Sequence, residues 1–268
     1  MKVMQSFIEG KAGNPDTCED GLVIKEHFIA VVDGVTAKSE HLWDGSKSGC
    51  YARKLLCSYM EENPVEDMGD LELLEHLNSL LHEAAEGKGA LRIQDYPRAA
   101  IIFYQEKTGT ICSYGDCQCL INGKKYDHGK LIDDMNACVR GFYLEYALMH
   151  GSALEELKEH DVGRDAIKQN LLMQFSFENQ DGRFGYPVLN GMGINPSLVV
   201  RHHVCDGDMV VLASDGYPEL SDTLEDSEQR LKKIIQDDPL CFRRYPSTKG
   251  IKPGSQSFDD RTYCSFKA

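Results

Sequence analysis

The apolar positions of this chain fall into two patterns, short runs of strand length and longer stripes at spacings of three and four. Residues 1–9 alternate loosely through Val3, Phe7 and Ile8 and predict a strand, closed by the Gly, Asn and Pro of a loop over 10–16. Glu19-Asp20-Gly21 opens a second strand at Leu22. Lys25-Glu26-His27 is short enough to turn that strand back, as a hairpin, into the apolar run 27–34. Residues 35–48 form a polar loop that holds the only tryptophan, Trp43, and offers Asp44 or Ser46 as a helix cap. From Lys47 the spacing of Tyr51, Leu55 and Tyr59, and of Ala52, Leu56 and Met60, is helical, and Asn63-Pro64 ends it. A second helix over 71–85 carries Leu73, Leu74, Leu77, Leu80 and Leu81, with Gly87 and Gly89 as its stop.

Four short strands follow, at 99–105, 110–114, 117–121 and 124–126, with turns at Lys107-Thr108-Gly109 and Asn122-Gly123. They predict an antiparallel meander with Gly115-Asp116 at one corner. Residues 130–178 turn helical in three pieces, 131–149, 154–159 and 164–178, and 182–196 is a glycine-rich loop. A strand pair over 197–203 and 208–213 is expected around the turn Cys205-Asp206-Gly207. A helix over 225–236, a loop over 243–252 and a strand over 261–266 complete the chain. Strands and helices come in runs without βαβ alternation, which predicts an α+β layered fold. With no internal repeat and no long linker, residues 1–268 are expected to form one domain.

Composition narrows the classes. An apolar content of 41% over 268 residues is enough for a full core. No stretch reaches the ~18 apolar residues of a membrane span, and the first ten residues lack the pattern of a secretory signal. A cytoplasmic chain with no membrane partner is the expectation. The ten cysteines are scattered and include no CxxC pair, so they are read as reduced and mostly buried, with Cys117 and Cys119 as neighbours along a strand or turn. A net charge of −14 argues against nucleic acid as a partner, since that binding needs basic surface to displace counterions. The surplus of carboxylates is what a site for divalent cations requires.

Two apolar runs end alike, 27–34 on Asp33-Gly34 and 209–216 on Asp215-Gly216. A buried strand that ends on a carboxylate delivers one charge to a site, and that charge needs a partner because an unpaired buried ion costs several kcal/mol. Glu19-Asp20 and Asp259-Asp260 stand at further strand ends. One Asp-Gly is an ordinary turn, but four acidic clusters on strand ends point to hard cations with oxygen ligands, Mg²⁺ or Mn²⁺.

The motifs Cys18-Glu19-Asp20-Gly21, Val32-Asp33-Gly34, Ser113-Tyr114-Gly115-Asp116, Leu212-Ala213-Ser214-Asp215-Gly216 and Asp259-Asp260-Arg261-Thr262 span nearly the whole chain. In this order they resemble the metal-dependent protein phosphatases of type 2C. The resemblance implies two stacked antiparallel β-sheets flanked by helices, a four-layer αββα sandwich with a metal centre at one end. It implies Asp33 as the carboxylate bridging two ions, Gly34 as a carbonyl ligand, and Asp215 and Asp259 as further ligands of one ion. Asp20 and Glu19 are implied beside the other ion, Glu19 partly through water, and Asp116 with Glu219 at a weaker third ion. The activity implied is metal-dependent hydrolysis of phosphomonoesters, by a water shared between two Mn²⁺ or Mg²⁺ ions, on phosphoserine or phosphothreonine of a protein substrate. Asp33 and Asp215 are the residues on which that catalysis would depend.

Two positions depart from the family pattern. The histidine that often follows the strand's Asp-Gly is replaced by Val35-Thr36, and the nearest downstream histidine, His41, reads as a loop residue. The arginine that often precedes the Glu-Asp pair corresponds to a place near Pro15, where Lys11 is the candidate for phosphate binding. Arg243, Arg244, Lys249 and Lys252 read as a basic surface loop, and His202-His203 as strand surface. The competing readings are a non-catalytic phosphatase-like module that binds a phosphorylated partner or regulates a kinase, and a small-molecule phosphatase on the same fold.

Overall fold

The protein is described from a computed structural model covering residues 1–86, 88 and 91–268, so the expected helix stop at Gly87 and Gly89 lies outside the described residues. Two five-stranded antiparallel sheets form the centre. In spatial order one runs β1 (Lys2–Glu9), β10 (Arg261–Lys267), β9 (Met209–Ala213), β6 (Gln118–Ile121), β7 (Lys124–Tyr126). The other runs β2 (Asp20–Lys25), β3 (Phe28–Gly34), β4 (Ala99–Gln105), β5 (Thr110–Tyr114), β8 (Val200–His203).

Alternation along the strands separates three cores. Ile29 and Val31 of β3, Ile102 and Tyr104 of β4, Val210 and Leu212 of β9 and Phe266 of β10 meet between the sheets. The other face of β3 and β4, through Val32 and Phe103, packs on Leu56 and Met60 of α1 (Ser48–Glu62) and Leu73 and Leu77 of α2 (Asp70–Ala85). The outer face of β9 and β10, through Val211 and Tyr263, packs on Leu231 of α7 (Leu224–Asp237). The layers are therefore helices, sheet, sheet, helix, the αββα sandwich of the expectation. β3 reads as one unbroken apolar run because both of its faces are covered. Each such large side chain contributes about 1.5–3 kcal/mol by leaving water.

The expected meander is corrected. β4 and β5 pair in one sheet while β6 and β7 pair in the other, so the chain changes sheet at Gly115-Asp116-Cys117. Gly115 has a φ of 134°, and a Cβ there would lie 2.2 Å from that of Ala100. The same exchange breaks the expected strand pair around Cys205-Asp206-Gly207, since β8 pairs with β5 and β9 with β6 and β10. The helix expected over 164–178 is three pieces, α5 (Val162–Ala166), α6 (Lys168–Met173) and a 3₁₀ turn (Gln174–Phe177), preceded by α3 (Leu131–Met149) and α4 (Leu154–Glu159). Buried Ile167, at φ −94° and ψ 0°, ends α5 and begins α6. Neither Asp44 nor Ser46 caps α1, whose N-cap is Lys47 without a side-chain bond. Trp43 is a packing residue, buried and donating to the Asp95 carbonyl at 2.8 Å. All ten cysteines are free, and all but Cys138 and Cys205 are buried.

Candidate metal centre

Asp33 shares a strand face with Ile29 and Val31, which lie in the core between the sheets. Its carboxyl therefore emerges where that seam ends. Asp20 is its direct partner across the β2–β3 pairing. From the opposite sheet, Asp215 stands two residues beyond the end of β9 and Asp259 two before the start of β10, and these strands are neighbours. Asp116 sits on the corner where the chain changes sheet. Asp33, Gly34, Asp116, Asp215 and Asp259 line one cavity of about 490 Å³.

The backbone around this end is drawn tight. Gly34 N–H donates to the Glu19 carbonyl at 3.0 Å, and a Cβ on Gly34 would lie 2.3 Å from the Gly49 carbonyl oxygen. No other residue fits at the end of β3. Asp260 is structural, its carboxylate accepting from the backbone N–H of Lys11 at 2.7 Å and of Glu19 at 3.0 Å. Asp20 accepts from the Thr262 hydroxyl at 3.0 Å and lines a second, smaller cavity with Cys18 and Arg53.

Seven aspartates and four lysines line the main cavity, an excess of negative charge. Burial and then the neighbouring carboxylates push the acids upward. The charges of Asp215, Asp20, Asp116 and Asp259 bear on Asp33, and those of Asp259 and Asp116 on Asp215, which is raised to about 7. Asp259 behaves oppositely, because Lys249 and Lys11 overcome its burial and hold it below the usual carboxylate range. Lys249 pairs with Asp259. Lys11 Nζ lies 2.8 Å from Glu19, 3.2 Å from Asp260 and 3.5 Å from Asp259, so this loop lysine does reach the acids. Lys130 binds Asp116 at 2.6 Å. As the side chains stand, no group of three His, Cys, Asp or Glu among the described residues is set to hold a metal ion.

Of the residues singled out in the sequence, Glu19, Asp20, Asp33, Gly34, Asp116, Asp215, Asp259 and Lys11 gather at this end of the sandwich. Glu219 does not line the cavity; it is exposed and lies 3.6 Å from Arg244. His41 packs edge-on against Trp43, away from the cavity wall. Three lysines were not distinguished by the sequence as site residues: Lys38, Lys130 and Lys249. Lys249 was visible only as part of a basic loop. Lys38 lines the cavity, donates to the Thr36 carbonyl at 3.0 Å, and is lowered to about 7 by burial and then by Arg164 and Lys249.

No protein-family model matches the sequence, and no curated protein sequence matches it. Among solved structures, the serine/threonine phosphatase PstP/Ppp of Mycobacterium tuberculosis is similar over 99% of this chain and 98% of its own, at a TM-score of 0.52 and 13% identity. The phosphatase MsPP of Mycobacterium smegmatis, in complex with cacodylate, is similar over 100% and 99%, at 0.47 and 14%. RsbX in complex with magnesium is similar over 98% and 97%, at 0.44 and 12%. At such identity the likeness carries the architecture alone. With its two five-stranded sheets between helices, this chain has the fold of the PP2C-type serine/threonine phosphatases.

Proposed function

We propose that the protein is a Mn²⁺- or Mg²⁺-dependent phosphomonoesterase acting on phosphoserine or phosphothreonine in proteins. One observation carries the reading. Aspartates from residues 33, 116, 215 and 259, contributed by both sheets, line a single cavity in which burial and mutual repulsion push Asp33 and Asp215 upward. An all-oxygen donor set short of positive charge fits hard divalent cations.

Asp33, the Gly34 carbonyl, Asp215 and Asp259 would hold the ions, with Asp20 and Glu19 behind them and Asp116 beside a weaker third. When bound, such ions supply Lewis acidity that activates water and offsets phosphate charge. The chain's own groups do the rest. Lys38, in the cavity and close to neutral pH in its titration, donates the proton that a departing serine alkoxide needs, the part left open by Val35-Thr36. Lys11, whose ammonium group reaches Asp259 of the cavity wall at 3.5 Å, orients the phosphate.

The test is hydrolysis of an aryl phosphate and a phosphopeptide side by side, with Mn²⁺ and with chelator. Asp33→Asn and Asp215→Asn are expected to abolish turnover and also the Mn²⁺-induced rise in melting temperature, on the order of 5–10 °C at saturation in the wild type. Wild-type activity in either variant rejects the assignment. A second reading, a binding module without turnover, draws on the ammonium groups already paired with Asp116 and Asp259. A full thermal shift with Mn²⁺ but no hydrolysis of any phosphopeptide decides for it.

A further inference from the structure

Helix α3 turns two different faces outward and inward. Its inner face is buried through Ile132, Asn136, Ala137, Arg140 and Leu144. On the outer face Met135, Val139, Phe142, Tyr146 and Met149 are exposed by 49, 39, 67, 57 and 78%. Their spacing of four, three, four and three is that of a helix-pairing seam, repeating every 3.5 residues over a helix ~28 Å long. No charged side chain belongs to the row. Solvated helix faces carry charge, and an unbroken apolar stripe marks a contact.

From this row we infer that α3 is the contact through which two copies of this chain pair, antiparallel and about a twofold axis at Phe142. The ends of the row are symmetric about that residue, and its inner pair is offset by one position. Met135 and Met149 stand seven positions to either side, and Val139 and Tyr146 three and four positions away. Rotation by 180° at Phe142 therefore lays the seam on itself, Phe142 against Phe142 and Met135 against Met149 of the second copy, as an isologous interface requires. The area suffices. With Tyr143, 44% exposed at the margin, and at ~200 Å² per large side chain, each copy contributes ~650 Å², and the pair buries ~1,300 Å², above the ~1,000 Å² of a specific interface.

Sedimentation velocity of the full chain from about 1 to 200 µM is expected to show a monomer–dimer equilibrium. Phe142→Glu should weaken it at least about tenfold with little change in melting temperature, since the exposed ring meets only the neighbouring Tyr143 ring edge-on, and Met4→Glu on exposed β1 should leave it unchanged. In a Cys138→Ser, Cys205→Ser background, oxidation is expected to link Phe142→Cys to itself. Met149→Cys should link to Met135→Cys in a mixture and not to itself. A monomer throughout overturns the inference, whatever other protein α3 binds. A dimer indifferent to Phe142→Glu, or self-linking of Met149→Cys, also overturns it.

Discussion

At the scale of single residues, Lys38 is held where an ammonium group is costly. Its pKa falls from 10.5 to about 7 through burial, and then through Arg164 and Lys249. Between those values the unfolded chain binds more protons than the folded one, so this group's contribution to stability rises with pH from about 7 to 10.5 and its penalty is full below 7. Lys38→Met is therefore expected to raise the melting temperature at pH 6, with a gain that shrinks toward pH 10. In the proposed role the same change lowers kcat about 100-fold with KM little altered. A variant that loses stability at pH 6, or keeps its kcat, removes Lys38 from that role. Asp33 and Asp215 were legible because each ends an apolar run, which a sequence shows directly. Lys38 and Lys249 sit in polar loops without periodicity, and nothing local to them tells an inward lysine from a solvated one.

At the scale of elements, the loop that delivers Lys249 is built from below. The Asp238 carboxylate accepts from the backbone N–H groups of Phe242, Arg243 and Arg244 at 2.7–2.9 Å. Fully buried Arg140 of α3 donates to the carbonyls of Leu240, Cys241 and Ser247 at 2.7–2.9 Å and pairs with Asp161. Arg140→Met takes the Arg140 donor from three carbonyls and a carboxylate, of which the Cys241 carbonyl and Asp161 keep a backbone N–H, an expected loss of about 3 kcal/mol in urea unfolding. A loss below about 1 kcal/mol would show that this loop is held by something else. Most strands and α3 were legible from period and turn residues. The exchanges of sheet at Gly115 and at Cys205 were not, because pairing between strands far apart in sequence leaves no mark on the strands themselves. The break at Ile167 was hidden likewise, since no Gly or Pro stands at it.

At the scale of the whole molecule, the acids of the site belong to both sheets, Asp33 to one and Asp215 and Asp259 to the other. A bound cation would fasten the sheets at that end only. Addition of Mn²⁺ is expected to slow amide hydrogen exchange at the final residues of both β3 and β9, leaving the Glu26-His27 and Cys205-Asp206 turns at the far end unchanged. Protection confined to one sheet contradicts the shared site. The layered class followed from the order of runs, and the convergence of distant acids came only through the likeness of several motifs taken together. β10 lies between β1 and β9, touching each along its length. During synthesis, then, β1 waits for β10 before it can pair, and Asp259 arrives with that later strand. A nascent chain can pair β2 to β5 early, yet its acidic site is completed only once β10 has left the ribosome.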